Sequence, residues 1–483
     1  MRILLAWASK NKKTDDLITA LKNAGHEVPY WVGAVGHKTN KISDTVVHCY
    51  EDARNCIPAS GIQVSDFSPP EESLVKQLHE SESLILTMMN KHFDWMCVDE
   101  RKHLYFNMLQ YWNGVFKKYH PQVIIFSLLP HTPFLYVIYA LAQLFGIKTI
   151  MFDGIAIGVP LGDRKIIFVN SWKKNSALER SMEKNKGKNF SLKDLSLDLQ
   201  DYYMLHVAKS VDPTPVYLKN EKKLYSFQKI LYKKIKILWK SIINMTFFEK
   251  ALLYLAKRGK QNIKQEYQSL QKEADMEKKF IYLPLNYQPE CTTSPQGDMF
   301  ADQILMTETM AASLPADWNL YVKEHPAQWF TRGMNFFSSR YRGYYEKIAR
   351  LKNVRLIPID TDHYELLHHA QCIATVIGTA GFEALMRGKP AIVFGYPWYM
   401  ECHGVFKVNG VLSCKKALGE IIGGFKIQQQ QIINFLKSFD DAAFHGSEVI
   451  EDMHYKTGLV KERKNMDNTI QAVLEEIDII SGS

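Results

Sequence analysis

Ile377-Gly-Thr-Ala-Gly-Phe-Glu-Ala-Leu-Met-Arg-Gly-Lys-Pro390 is the stretch that decides the fold. It sits between two apolar runs, 372–377 and 391–395, so a strand enters a turn of small residues and a helix leaves it. Gly378 and Gly381 let the backbone approach a ligand closely. The N–H groups that open the helix, near Thr379 and Ala380, can hold a phosphate together with the Thr379 hydroxyl. Glu383 lies four residues beyond Thr379 on the same helical face and can accept hydrogen bonds from a ribose. The same residues also fit a plainer role, in which the glycines only permit close strand–helix packing and Glu383 is a first-turn carboxylate favoured by the helix dipole.

Working outward, the alternation that contains this turn begins at Phe280. It predicts strand 280–285, helix 299–313, strand 320–324, helix 344–351, strand 354–358, helix 363–369, strand 372–377 and strand 391–395. The N-terminal part opens in the same way, with strand 3–8, helix 14–23 and strand 26–30; it continues with strand 123–126, a helix from Pro133 and strand 149–152. The predicted class is α/β with two doubly wound, Rossmann-like domains. Four blocks follow: 1–170, the first Rossmann-like and acceptor-side domain; 171–279, a Lys-rich and mostly helical insertion; 280–420, the nucleotide-sugar domain; and 421–483, a helical tail that can pack on either domain.

Composition sets the limits around this reading. The 483 residues are 46% apolar and 23% charged, which excludes a disordered or collagen-like chain and leaves room for two domains. Between positions 219 and 264 stand thirteen basic and two acidic residues, a local +11 out of an overall +9, so the rest of the chain is at −2. A generally basic nucleic-acid binder is therefore disfavoured. In that segment lysines interleave with Phe227, Tyr232, Trp239 and Phe247, which suits either a helix lying on an anionic membrane surface or a solvated basic helix packed on its own domain. Seven scattered cysteines without Cys-x-x-Cys or zinc spacing point to a reducing cytosol and to no metal site. The apolar N-terminus is too short for a secretory signal, and Gly146-Ile-Lys148 interrupts the apolar run 133–152, so no bilayer crossing is expected. The expected location is cytoplasmic, with peripheral attachment to the inner face of the membrane through 219–264.

Three further constellations carry chemistry. Lys323-Glu-His-Pro326 ends a strand at a proline that cannot continue it, which presents His325 at the carboxyl end of the sheet, where His325 or Lys323 can neutralise a leaving phosphate without a metal. Asp153 and Gly154 follow a wholly apolar strand; the acid serves there as nucleophile or general base, or is simply an Asp-Gly turn residue, and His131 is a second candidate at the same sheet edge. The loop after the strand at 280 offers Thr292 and Thr293 to phosphate and Gln288 or Glu290 to sugar.

Lys323-Glu-His-Pro326, followed by Gly378-Thr-Ala-Gly-Phe-Glu-Ala-Leu385, Gly388-Lys-Pro390 and Val393-Phe-Gly395 with Tyr399, resembles the bacterial capsule polysaccharide biosynthesis family, which includes the β-Kdo transferases. The likeness is strongest over 280–405, and Pro130-His131 through Asp153-Gly154 looks like its weaker N-terminal part. The resemblance implies a GT-B glycosyltransferase with two facing Rossmann-like domains, a CMP-activated 2-keto sugar acid as donor, a surface polysaccharide or glycolipid as acceptor, and no metal or other cofactor. It also implies that Asp153 forms a glycosyl-enzyme, with Tyr399 among the donor or acceptor contacts. In this sequence Phe152 stands where family members acting with retention have Glu, and the arginine they carry shortly afterwards is missing from Ile155-Ala-Ile-Gly-Val159. Two other readings remain: a UDP-sugar transferase or 2-epimerase-like enzyme on the same architecture, and a non-catalytic capsule-assembly or polysaccharide-binding protein.

Overall fold

The computed structural model describes residues 1–9, 13–34, 44–155, 157, 165–207, 263–288, 293–329, 340–445 and 462–482. Most of the basic segment 219–264 lies outside the described residues, as do Glu290 and Thr292. Contacts divide the chain into two compact units, one of Met1–Tyr202, Ser294–Met299 and Gln430–Ser483, the other of Tyr203–Thr293 and Phe300–Gln429.

The first unit is built on β1 (Arg2–Ser9), β2 (Glu27–Ala34), β3 (Val46–Cys49), β4 (Val123–Phe126), β5 (Lys148–Ile155) and β6 (Lys165–Val169). Their order in the sheet is β3-β2-β1-β4-β5-β6. Ile3, Leu4, Leu5, Ala6 and Trp7 are all buried, and so is every residue of β4, because strands at the centre of a parallel sheet are covered on both faces. The apolar run 133–152 resolves into the helix Pro133–Leu144 and β5. β6 joins antiparallel to β5 and pairs Asp153 with Ile167 and Gly154 with Ile166. This corrects one expectation: Asp153 is not past its strand but inside it. The parallel ladder with β4 stops at Met151, and the antiparallel partner carries the strand on to Ile155.

The second unit holds β7 (Phe280–Pro284), β8 (Asn319–Lys323), β9 (Val354–Leu356), β10 (Cys372–Thr375), β11 (Ala391–Val393) and β12 (Val405–Lys407). The order is β12-β11-β10-β7-β8-β9, with every pair parallel. Counted from its own first strand, this is the same doubly wound order as in the first unit. Its predicted strands and helices fall within a few residues of those observed.

The described parts of the blocks 171–279 and 421–483 pack on the two sheets. Helix Glu462–Ser481 buries Met466, Val473, Ile477 and Ile480 in the core of the first sheet, while helix Ile263–Leu270 buries Ile263 and Tyr267 in the core of the second. Lys165 on β6 ties the tail down through Asp440 at 2.5 Å and the helix Leu197–Val207 through Asp198 at 3.4 Å. Among the described residues no helix is long and apolar enough to cross a membrane.

Candidate functional site

In the second sheet β7 and β10 are neighbours, and their connections leave to opposite sides: β7 leads to β8, and β10 to β11. A doubly wound sheet opens a crevice at the carboxyl end of such a pair, which is where its ligands bind. Asn286 follows β7 and Gly378 follows β10, so these two loops flank the crevice.

The turn after β10 is held from below. The Thr375 hydroxyl accepts from the Gly378 N–H at 3.1 Å, and the buried Tyr399 hydroxyl donates to the Gly378 carbonyl. A Cβ on Gly381 would lie 2.2 Å from the Tyr399 hydroxyl, so glycine is required there for close approach. Tyr399 therefore braces the turn from inside the fold. Thr379 is exposed and caps the helix Ala380–Met386 without a side-chain cap bond, while the Gly381 N–H is taken by the Gly378 carbonyl at 3.1 Å.

The loop after β8 is organised by a buried ion pair. Glu324 is 1% exposed and meets Arg340 at 2.8 and 3.2 Å; it also accepts from the Tyr345 hydroxyl and from the His325 N–H. Burial lowers the proton affinity of the Arg340 guanidinium, but Glu324 and the neighbouring tyrosines reverse this and raise it further. The same guanidinium donates to the Asn286 carbonyl at 3.1 Å and stacks on Tyr344. Arg340 thus joins the loop after β7 to the loop that presents His325. His325 is half-buried beside Tyr287, with ring centroids 5.9 Å apart. Lys323, expected at the phosphate, is 5% exposed and its ammonium donates to the Thr361 carbonyl, so it supports the edge from within. Gln288 is locked by Gln328 in a pair of backbone–side-chain bonds at 2.9 and 2.7 Å and donates to the buried Thr293 hydroxyl.

Glu383 points into a polar cluster. Its Oε2 lies 3.2 Å from His363 Nε2, and His363 Nδ1 lies 2.9 Å from the Tyr282 hydroxyl. Burial would raise the Glu383 pKa, but the hydrogen bond from His363 and the electrostatic field of His363, His206 and Arg387 hold it below the usual carboxylate value. The sequence reading missed Asn286, Arg340, Tyr282 and His363. Asn286 had a detectable signal, a polar residue at the carboxyl end of an apolar strand; its Oδ1 is buried without a hydrogen-bond partner. The other three come from separate segments and had no signal.

In the first unit Asp153 is half-buried next to the fully buried Phe152. His131 precedes the helix Pro133–Leu144 and meets the Leu129 carbonyl through Nδ1 at 2.8 Å. It lies within Coulombic reach of His92, whose pKa is pushed down to about 4 by burial and by Lys91, Arg54 and His131.

Residues 248–411 match the family model described as capsule polysaccharide biosynthesis protein. Over 81 residues the chain is 32% identical to the capsule polysaccharide modification protein LipA of Neisseria meningitidis serogroup B, strain MC58, and 31% identical to that of serogroup A, strain Z2491. These matches cover 17% of this chain and 10% of the relatives, so the chain matches about a tenth of the length of those curated proteins. Among solved structures, the β-Kdo 2,7 transferase KpsC of Thermosulfurimonas dismutans is similar at 13% identity over 68% of this chain and 89% of that one, with a TM-score of 0.27. The UDP-GlcNAc 2-epimerase of Methanocaldococcus jannaschii is similar at 13% identity over 89% and 94%, with a TM-score of 0.24. The fold assignment rests on the strand order of the two sheets, and the family model that matches segment 248–411 is that of the family whose motifs the sequence resembles.

Proposed function

We propose that this chain is a glycosyltransferase of capsule polysaccharide assembly, moving a 2-keto sugar acid, Kdo or a relative, from a CMP-activated donor to an oligosaccharide or glycolipid acceptor. The observation that carries the reading is the gathering of the Gly378–Gly381 turn, the His325 loop and Glu383 at the carboxyl edge of the second sheet, with Arg340 tying the β7 and β8 loops together. In this reading the phosphate sits against Thr379 and His325, and the ribose meets Glu383. CMP leaves with a single phosphate, so an imidazole and oriented N–H groups suffice without a divalent ion. The basic segment 219–264, on composition, is the part that meets an anionic membrane surface at the cytoplasmic face.

The reaction is a double displacement. The Asp153 carboxylate bonds to the anomeric carbon as the carbon–oxygen bond to phosphate breaks and CMP departs with the electron pair. An acceptor hydroxyl then attacks that carbon, the bond to Asp153 breaks, and the hydroxyl proton passes to the CMP phosphate or to water.

Intact-protein mass spectrometry after incubation with CMP-Kdo and no acceptor is expected to show a glycosyl adduct on Asp153. Asp153→Asn is expected to lower transfer by at least about three orders of magnitude while leaving CMP affinity unchanged. Near-normal turnover in that variant overturns the role of Asp153, and tighter calorimetric binding of UDP than of CMP overturns the donor.

A further inference from the structure

We infer that His363 is a positioning residue for the proposed donor site: braced by Tyr282, it fixes the carboxylate of Glu383 so that one oxygen is consumed and the other faces the sugar hydroxyls of the nucleotide. The inference rests on the assignment of Glu383 to the ribose.

The geometry runs from the core outward. Tyr282 lies on the central strand β7 with 1% exposure. Its hydroxyl meets His363 Nδ1 at 2.9 Å, with the two rings edge to face at 5.4 Å. His363 is the first residue of the helix His363–His369, whose start is pinned by the Asp362 carboxylate accepting from the Tyr364 and Glu365 N–H groups at 2.7 and 2.9 Å. The imidazole therefore has little freedom. Its Nε2 meets Glu383 Oε2 at 3.2 Å.

The protons follow from the partners. Burial raises the Tyr282 pKa, so that hydroxyl keeps its proton and donates to Nδ1. Glu383 is held as the anion and can only accept, so Nε2 carries the hydrogen. One tautomer satisfies both contacts. The other groups acting on Glu383 are His206 and Arg387, and Tyr399 also lies within its field. Arg387 stacks on Tyr364, while its Nε and Nη2 atoms are buried without hydrogen-bond partners. Arg387 thus contributes charge without gripping the carboxylate, and the directional contact to Glu383 comes from His363. Removing the imidazole leaves burial as the main influence on that carboxyl and frees it to rotate.

The test compares binding of CMP and 2′,3′-dideoxy-CMP to the full chain by calorimetry. The wild-type protein is expected to prefer CMP by roughly 10- to 100-fold, the range of a hydrogen bond to a charged group. His363→Ala should bring that ratio close to one. His363→Gln, whose amide nitrogen reaches the Nε2 position, should restore most of it, and Tyr282→Phe should fall between the two. A His363→Ala variant that melts like wild type and keeps the wild-type ratio overturns the inference. So does an equal loss of both ligands, which marks a structural role. Absence of a preference in the wild-type protein itself overturns the ribose reading of Glu383, and this inference falls with it.

Discussion

Each unit holds a tyrosine–histidine pair with the hydroxyl of a buried tyrosine 2.9 Å from Nδ1, yet the two pairs end on different chemistry. In the first unit Tyr30 meets His48, and His48 Nε2 reaches the Ile57 carbonyl at 2.8 Å; Tyr30 also meets the Tyr111 hydroxyl at 2.8 Å, and that hydroxyl accepts from the Ala59 N–H. Every member of that chain is neutral, and both ends are backbone groups of the loop 57–59. In the second unit Tyr282 and His363 end on the Glu383 carboxylate. A relay that ends on a backbone carbonyl completes the hydrogen bonding of a loop. One that ends on a carboxylate leaves an oxygen available and a charge to direct. Apart from the Lys165–Asp440 pair that holds its tail, the first unit anchors the loop 57–59 with hydroxyls, an imidazole and aromatic edges, whereas the second anchors the loops at its sheet edge with the ions Glu324 and Arg340.

The largest test of this contrast removes an ion. Arg340→Met leaves Glu324 buried and uncompensated, which is expected to cost about 3–5 kcal/mol in urea unfolding. Tyr111→Phe in the first unit strands only the Ala59 N–H and a Tyr30 lone pair and is expected to cost about 1–3 kcal/mol. Equal losses would erase the distinction between ionic and neutral anchoring. A smaller effect is expected at Gly381→Ala, where the new methyl would lie 2.2 Å from the Tyr399 hydroxyl; overpacking of this kind costs about 1–3 kcal/mol. Adding Tyr399→Phe removes that oxygen and leaves the ring carbon Cζ 3.0 Å from the methyl, so the double variant should regain part of the melting temperature. Because Tyr399→Phe also loses the bond to the Gly378 carbonyl, a double variant that melts below Gly381→Ala by as much as Tyr399→Phe alone falls below wild type would place the clash elsewhere.

These residues also mark how far the sequence can be read. The strands and helices of the second unit were legible because each is a contiguous apolar run closed by its own turn signal, and the Gly378–Gly381 turn carries its geometry in consecutive residues. Asp153 was visible as an acid after an apolar strand, but its place within β5 was not, because the partner that extends the strand, β6, announces itself only by pairing. The ionic anchor was invisible for a related reason. Arg340 is separated in sequence from both Glu324 and Asn286, and nothing in the local pattern of a surface-type residue marks one that will be 3% exposed. Lys323 shows the same limit from the other side: its motif suggests a ligand to phosphate, and only the structure shows that it is buried and donates to the Thr361 carbonyl. Spacing reveals elements and turns, whereas long-range polar pairing decides which motif residues face the crevice.

The smallest effect distinguishes the units by acid. In the first unit burial lowers the pKa of His26, His48 and His92, the last to about 4. An unfolded chain takes up protons on these residues as pH falls through about 6.5, while the folded unit refuses them, so the histidine contribution to first-unit stability should decline from that pH down to about 4. In the second unit Glu383 has the same sign but a lower pH window. Its carboxyl is more acidic folded than unfolded, so its contribution is complete above the ordinary glutamate pKa of about 4.3 and is lost only as pH falls through the lower folded value. Acidification should therefore loosen the first unit before the donor edge of the second. Hydrogen exchange at pH 7 and pH 5 is expected to show falling protection in β1–β4 with little change in β7–β10. His92→Gln should flatten part of the first-unit response, because Lys91, Arg54 and His131 then surround a side chain that cannot titrate. Loss of protection that begins in β7–β10 would mean that the ionic anchors, and not the buried imidazoles, set the acid limit of the fold.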